Sequence, residues 1–278
     1  MPDAIGHRYA AAFASLAARR ETAFIPFTML GDPDPARSAA VLDALVAGGA
    51  DALELGFPFS DPVADGPVIQ AAGVRALAAG TRQDDCWALL ATARAQSPAL
   101  PIGLLVYANL VVRRGMETFY RQAAESGVDS VLVADAPLLE IAPFQEVARA
   151  HGIATVLIAP PTADQARLDR IAATSEGYTY VVTRAGVTGV DDRLHEESAG
   201  LIVTLRTAGA PPPVLGFGIA TPEHVRTAAR LGASGAISGS AVVRQVAALA
   251  EGADPAATLE AIRTFVHSMK SATRKAPA

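Results

Sequence analysis

The segment from Ala23 to Ala47 reads AFIPFTMLGDPDPARSAAVLDALVA and shows the unit from which the chain is built. An apolar run, Ala23–Phe27, is followed by a turn rich in Gly, Asp and Pro and then by a helical pattern, Pro35–Ala47. This order is typical of a β-strand, a loop and an α-helix. A dinucleotide-binding unit would carry Gly-x-Gly-x-x-Gly directly after the strand, whereas this chain has TMLGDP at 28–33. An open doubly wound sheet, the main structural rival, is therefore disfavoured.

The same unit recurs along the chain. Eight short runs lack a strict polar alternation, which is typical of strands covered on both faces; they are Ala23–Phe27, Ala52–Leu55, Ile102–Tyr107, Ser130–Val133, Ala154–Ile158, Tyr178–Thr183, Val214–Gly216 and Gly235–Ser238. Predicted helices between them include Pro35–Ala47, Asp84–Gln96, Met116–Ser126, Ala142–His151, Ala163–Thr174 and Pro222–Leu231. Several end just before Gly, as helices commonly do.

This pattern predicts a single domain over residues 1–278, an α/β fold with one (β/α)8 TIM barrel and an added N-terminal helix within residues 1–20. A last helix begins at Pro255, and residues 270–278 are expected to be a frayed tail. The Ala-rich start is followed, not preceded, by Arg19 and Arg20, which is the wrong charge order for a secretory signal.

Composition narrows the classes of function. With 23 Lys and Arg against 28 Asp and Glu, the net charge of −5 predicts no nucleic-acid partner. The longest strongly apolar stretch, Ile102–Val112, is shorter than the ~20 residues that span a bilayer, so no membrane helix is expected. Cys86 is the only cysteine, which fits a reducing compartment and predicts a cytoplasmic protein. The five histidines lack metal-binding spacing, so we expect no metal.

Two carboxylates are candidates for acid–base chemistry, because active sites of TIM barrels lie at the carboxyl ends of the strands. Glu54 ends the second predicted strand among aliphatic residues, where a buried charge is costly unless it is used or paired with a buried Arg. The following loop, PFSDPVADGP at 58–67, carries Asp61 and Asp65. Either aspartate alone could serve a turn, but one of them aimed at Glu54 would complete an acid–base pair.

Glycine-rich loops follow the last three predicted strands. They read GVTG at 186–189, GFG at 216–218 and SGS at 238–240, the last directly before a helix. Phosphate sites in TIM barrels are commonly built from the loops after strands seven and eight and from a helix N-terminus. Each motif alone could be an ordinary tight turn, and the nearby Arg184 could brace the rim of the barrel, but their order predicts a substrate that carries phosphate.

The string ALELGFPFSDPVADGP at 52–67 closely resembles the signature of the tryptophan synthase alpha chain family. The likeness continues over essentially the whole chain, in Pro26–Pro33, Leu104–Leu110, Val131–Pro137, Gly177–Gly189, Gly216–Gly218 and Ala236–Ala241. It implies a carbon–carbon lyase of tryptophan biosynthesis that cleaves indole-3-glycerol phosphate to indole and glyceraldehyde 3-phosphate. By this resemblance Glu54 protonates indole C3 and later accepts the proton of the glycerol hydroxyl. Asp65 accepts the indole N–H and stabilises the cation.

The resemblance also implies roles for other residues. Tyr180 matches the active-site tyrosine, and the indole pocket would be lined by Phe24, Leu105 and Tyr107. The phosphate-binding positions match Gly189, Phe217, Gly218, Gly239 and Ser240. Loops that communicate with a partner would contain Asp61, Asn109 and Asp135.

That partner is a beta chain in an alpha2beta2 heterotetramer, which holds pyridoxal phosphate and receives indole through a tunnel, while this chain needs no cofactor. Phe57 departs from the family pattern, where a smaller aliphatic residue is common, and so bears on the width of the pocket.

Three other functions are compatible with a barrel of this kind. A lyase that releases indole without a partner would keep the same chemistry. Another phosphate-binding barrel, such as an isomerase of the same pathway, would not require both Glu54 and Asp65. A regulatory subunit without activity should have lost one of these carboxylates, and both are present.

Overall fold

A parallel sheet forms the centre of the molecule. The computed structural model describes residues 5–182, 192–216 and 218–274, with only the backbone of 192–197. Nine strands of this part are β1 (Ala23–Met29), β2 (Leu53–Gly56), β3 (Ile102–Val106), β4 (Ser130–Val133), β5 (Ala154–Thr155), β6 (Leu157–Ala159), β7 (Thr179–Val182), β8 (Pro213–Gly216) and β9 (Gly235–Ser238). They pair in the order β5-β4-β3-β2-β1-β9-β8-β7-β6, and each pair is parallel.

The sheet curls into a barrel. Its two end strands, β5 and β6, are consecutive in the chain and are separated only by Val156. One piece pairs with β4 and the other with β7, so together they occupy one position of the barrel. The predicted single strand Ala154–Ile158 is therefore interrupted, but the predicted TIM barrel is confirmed.

Helices surround the barrel. They are α1 (His7–Ala18), α2 (Pro35–Ala47), α3 (Pro67–Ala78), α4 (Gln83–Gln96), α5 (Ala108–Val112), α6 (Met116–Glu125), α7 (Ala142–Ala150), α8 (Gln165–Thr174), α9 (Asp192–Thr207), α10 (Pro222–Arg230), α11 (Ser240–Ala250) and α12 (Pro255–Ser271), with a 3-10 turn at Leu138–Glu140. Side chains of Asp34, Asp164, Thr221 and Asp254 accept hydrogen bonds from the first turns of α2, α8, α10 and α12. Such caps satisfy amide groups that have no partner within the helix.

The apolar core has two layers. An outer cluster, which includes Leu45 and Leu53, lies between strands and helices, and an inner cluster fills the barrel. Tyr9 of α1 joins the inner cluster, and its hydroxyl lies 3.0 Å from Oγ of Ser130, the first residue of β4. The N-terminal helix therefore covers the amino end of the barrel, and the carboxyl ends of the strands remain for a site.

The end of the chain is more ordered than expected. Helix α12 continues to Ser271, and Lys270 Nζ lies 3.1 Å from Glu21 Oε2 and 2.8 Å from Asp51 Oδ1. The Thr22 amide also donates to the carbonyl of Thr273 over 3.1 Å. The prediction of a frayed tail from residue 270 is wrong for residues 270–274, because these contacts bind them to the amino end of the barrel. Residues 275–278 lie outside the described part.

Among the described helices, none combines the length and the apolar character needed to cross a membrane.

Candidate active site

A cavity of about 440 Å³ opens at the carboxyl ends of the strands. Its wall combines two carboxylates, an apolar surface, a glycine-rich segment and one arginine, contributed by Phe27, Glu54, Ala64, Asp65, Gly66, Ile69, Leu105, Ala134, Ile158, Tyr180, Val182, Gly218, Ile219, Ala220, Ile237, Gly239, Ser240, Ala241 and Arg244. The fold thus brings Glu54 and Asp65 to one cavity, as the sequence predicted.

Glu54 faces the barrel interior because its neighbours on β2, Leu53 and Leu55, both pack in the outer core. Only 2% of the residue is exposed, and the Tyr178 hydroxyl donates a hydrogen bond of 2.7 Å to Glu54 Oε1. Burial raises the pKa of Glu54 to about 7, although the Tyr178 hydrogen bond opposes the shift. The carboxyl group can therefore give or take a proton near neutral pH.

Asp65 reaches the same cavity from the loop between β2 and α3. The Tyr107 hydroxyl forms a hydrogen bond with the Asp65 carboxylate. The same hydroxyl accepts a hydrogen bond of 3.1 Å from the Ala64 amide. Gln70 Nε2 donates to the Asp65 carbonyl over 2.8 Å. Burial raises the pKa of Asp65, and the hydrogen bond from Tyr107 opposes this effect. These contacts fix the half-buried carboxylate at the cavity wall.

Tyr180 lies on β7 and lines the cavity, with 6% of its surface exposed. Its position depends on Gly216 of the neighbouring strand β8, since a β-carbon there would overlap the Tyr180 ring and hydroxyl. Nothing in the local sequence identifies this requirement, because it arises between strands that are adjacent only after folding. The sequence also gives no sign that Tyr178 is the hydrogen-bond partner of Glu54, because the two residues become neighbours only after folding.

The apolar wall contains Phe27 and Leu105. The assignment of Phe24 to this wall is wrong: its ring is fully buried in the outer core, because alternate residues of β1 face opposite sides of the strand. Phe27, three residues later, faces inward and packs in the inner cluster. Tyr107 does not line the cavity either; its hydroxyl supports the Asp65 loop.

Phe57 does not narrow the cavity. Its ring packs in the outer core against Trp87 and Phe119, with ring centroids 4.7 Å and 6.3 Å away. Phe57 therefore contributes to the contact between the end of β2 and the surrounding helices, and not to the width of the cavity.

Three of the predicted phosphate-binding residues lie in the cavity wall. We call Gly218, Gly239 and Ser240 the glycine-rich segment, although they come from the loops after β8 and β9. Gly218 follows β8 with a φ of 76°, a conformation that favours glycine. Gly239 precedes α11, and Ser240 is its first residue. The amide groups of a first helical turn have no partner within the helix and attract anions. Gly189, Phe217 and Arg184 lie outside the described residues.

Asp61, Asn109 and Asp135 do not line the cavity. All three are exposed, in the segments that follow the neighbouring strands β2, β3 and β4. Asp135 Oδ1 accepts a hydrogen bond of 2.7 Å from the backbone amide of Ala108, the first residue of α5. This contact links the segments that follow β3 and β4. Within the described residues, no group of three or more His, Cys, Asp or Glu side chains is arranged to hold a metal.

Comparison with known proteins gives a consistent result. Residues 13–274 match a family model described as the tryptophan synthase alpha chain. The tryptophan synthase alpha chain of Shewanella baltica is 54% identical over 266 residues, which cover 96% of this chain and 97% of the relative. That of Edwardsiella ictaluri is 52% identical, over 96% of this chain and 99% of the relative.

Solved structures agree with these sequence relatives. Tryptophan synthase subunit alpha from Legionella pneumophila superimposes with a TM-score of 0.85 at 31% identity, over 96% of this chain and 98% of that one. A chain from the tryptophan synthase a2b2 complex of Pyrococcus furiosus gives 0.82 at 32% identity, over 91% and 99%. The chain described here belongs to the tryptophan synthase alpha chain family.

Proposed function

We propose that this chain cleaves indole-3-glycerol phosphate into indole and glyceraldehyde 3-phosphate, the reaction that its family membership implies. The observation that carries the proposal is the joint presence of Glu54 and Asp65 in the wall of one cavity that also contains Gly218, Gly239 and Ser240. An acid, a second carboxylate and unpaired amide groups are the three elements that the reaction requires.

Glu54 supplies the proton transfers. The bond between indole C3 and the glycerol carbon breaks only after C3 is protonated, because protonation removes the aromatic character of the pyrrole ring. With a pKa of about 7, protonated Glu54 can donate this proton at neutral pH. The ionised carboxylate then accepts the proton of the glycerol hydroxyl. As the carbonyl forms, the electrons of the broken carbon–carbon bond return to the ring and restore indole.

Asp65 stabilises the positive charge that the indole ring carries between the two proton transfers. Protonation at C3 places positive charge toward the ring nitrogen, and a carboxylate that accepts the indole N–H stabilises it. The hydrogen bond from Tyr107 favours the ionised form of Asp65. Phe27 and Leu105 give the cavity an apolar wall, in which electrostatic interactions are stronger than in water.

The substrate phosphate binds, in this proposal, at Gly218, Gly239 and Ser240. Its negative charge would interact with the amide groups and the positive end of the helix dipole at the start of α11. The phosphate lies away from the bond that breaks, so these groups contribute mainly to binding.

We further propose that the chain works with a tryptophan synthase beta chain, through the exposed segments that contain Asp61, Asn109 and Asp135. The Pyrococcus furiosus structure, which is of a tryptophan synthase a2b2 complex, supports this proposal. Pyridoxal phosphate belongs to the beta chain, and the reaction proposed for this chain needs no cofactor. A cytoplasmic location fits the single, buried Cys86.

Measurement of indole release tests the proposed function. Glu54→Gln removes the acid and keeps the shape, so the rate should fall by roughly 10²–10⁴-fold with little change in substrate affinity. Glu146→Gln, at an exposed position on α7, is the matched control and should retain wild-type activity. Assays with and without a beta chain distinguish a coupled subunit from an independent lyase. Loss of less than a few-fold in Glu54→Gln would refute the assignment.

A further inference from the structure

Arg244 is a cavity residue that the sequence did not single out. It lies on α11, four residues after Ser240, and its side chain forms part of the cavity wall. Residues four apart lie on the same face of a helix, and helical side chains lean toward the N-terminus. We therefore expect the Arg244 side chain to lean toward Ser240 and the first turn of α11.

The charged side chains in the described part of the cavity wall give an anion little compensation. Among the described lining residues, the charged side chains are Glu54, Asp65 and Arg244. A phosphate monoester carries a charge of about −1.5 to −2 at neutral pH. The amide groups near Gly239 and Ser240 are dipoles without net charge, and an ionised Asp65 repels the phosphate. Arg244 supplies a cationic side chain to the described wall.

The Arg244 guanidinium is also uncommitted. Within the described part of the chain it forms no ion pair and no side-chain hydrogen bond. By contrast, Arg226 and Arg230 on α10 both bind Glu223, with N to O distances of 2.7 Å and 2.8 Å. An arginine with no partner among the described residues, at the edge of the cavity, can bind a ligand without breaking a contact in this part of the chain.

We propose that Arg244 binds the phosphate of the substrate and completes the charge balance of the glycine-rich segment. This inference rests on the proposed function, because it assumes a phosphate ester in the cavity. Arginine suits the role, since its planar donor groups match two phosphate oxygens. The residue binds and orients the substrate; it does not take part in the proton transfers.

The test separates binding from chemistry. In Arg244→Ala, KM for indole-3-glycerol phosphate should rise about tenfold, and kcat should stay within twofold of wild type. Calorimetric titration with glycerol 3-phosphate should show the same loss of affinity, whereas the affinity for indole, which lacks phosphate, should not change. Arg244→Lys keeps the charge but loses the planar pair of donors, so it should recover part of the affinity. Arg170→Ala, at an exposed position on α8, removes the same charge elsewhere and serves as the control.

Two results would overturn the inference. One is an affinity of Arg244→Ala for glycerol 3-phosphate within twofold of wild type. The other is an equal loss of affinity for indole, which would indicate general damage to the cavity. A wild-type chain that binds glycerol 3-phosphate but releases no indole would refute the proposed reaction, and the titration would still decide the role of Arg244.

Discussion

Replacing Glu54 by Gln should change the free energy of unfolding in favour of the variant as the pH rises. In the unfolded chain the carboxyl group has its ordinary pKa of 4.5, whereas burial raises the pKa to about 7 in the folded state. At 1.36 kcal/mol per pH unit, this difference corresponds to about 3 kcal/mol. The group is almost completely buried, so solvent screening reduces this value little.

The sign follows from which state holds the proton more tightly. Below pH 4.5 both states are protonated and Glu54 carries no penalty. Between pH 4.5 and about 7 the folded state keeps a proton that the unfolded state has released, so the free energy of unfolding falls as pH rises. Well above pH 7 both states are ionised and the loss is complete. A glutamine does not titrate, so its advantage over glutamate should increase by about 2.5 kcal/mol between pH 5 and pH 8.

Urea unfolding of both proteins at several pH values, followed by circular dichroism, measures this difference. The pH-independent cost of burying the amide appears equally at each pH and cancels when the differences are compared. If the difference between Glu54→Gln and wild type stays constant within about 0.5 kcal/mol from pH 5 to pH 8, the pKa of Glu54 is not raised and the reasoning fails.

Three further variants test the surroundings of the two carboxylates. Tyr178→Phe removes the hydrogen bond that lowers the pKa of Glu54, so the alkaline limb of the kcat/KM profile for indole release should move up by roughly 1–2 pH units; an unchanged limb would contradict this. Asp65→Asn should lower kcat by roughly 10²–10³-fold with little change in KM, because an amide cannot neutralise the indole cation; single-turnover kinetics would show whether chemistry is the affected step. Gly216→Ala should displace Tyr180 and impair both substrate binding and turnover, whereas wild-type kinetics would show that the ring can move without consequence.

The barrel was predictable because its signals are local and repeated. Each strand is a short apolar run bounded by turn residues, and each helix has its own period and ends. The break at Val156 was not predictable, because no Gly or Pro marks it and it reflects closure of the sheet. The sequence did not predict that the chain around Lys270 is ordered, because the partners of Lys270, Glu21 and Asp51, lie more than 200 residues away in the chain.

The two carboxylates were predictable for a different reason. An acidic residue inside an apolar strand, such as Glu54, is costly to bury, so its presence indicates a functional role or a buried partner. The direction of an apolar side chain gives no such signal: a strand buried on both faces shows no alternation, so Phe24 and Phe27 look equivalent in the sequence. The contribution of Arg244 to the cavity wall depends on the placement of α11 and could be identified only in the fold.

The different surroundings of Glu54 and Asp65 fit the proposed roles of these two residues as an acid and as a carboxylate that stabilises positive charge. An arginine paired with Glu54 would lower the cost of burial but would also keep the carboxyl group ionised and unable to protonate indole C3. Its hydrogen-bond partner is instead the neutral hydroxyl of Tyr178, which opposes only part of the effect of burial. Asp65 is less buried and accepts a hydrogen bond from Tyr107, which favours the charged form that an indole cation needs. The cationic side chain of the described wall, Arg244, lies on α11 beyond Ser240, where a positive charge can assist phosphate binding. The stability that Glu54 costs at neutral pH is thus a direct consequence of the raised pKa that fits it to its proposed role as an acid.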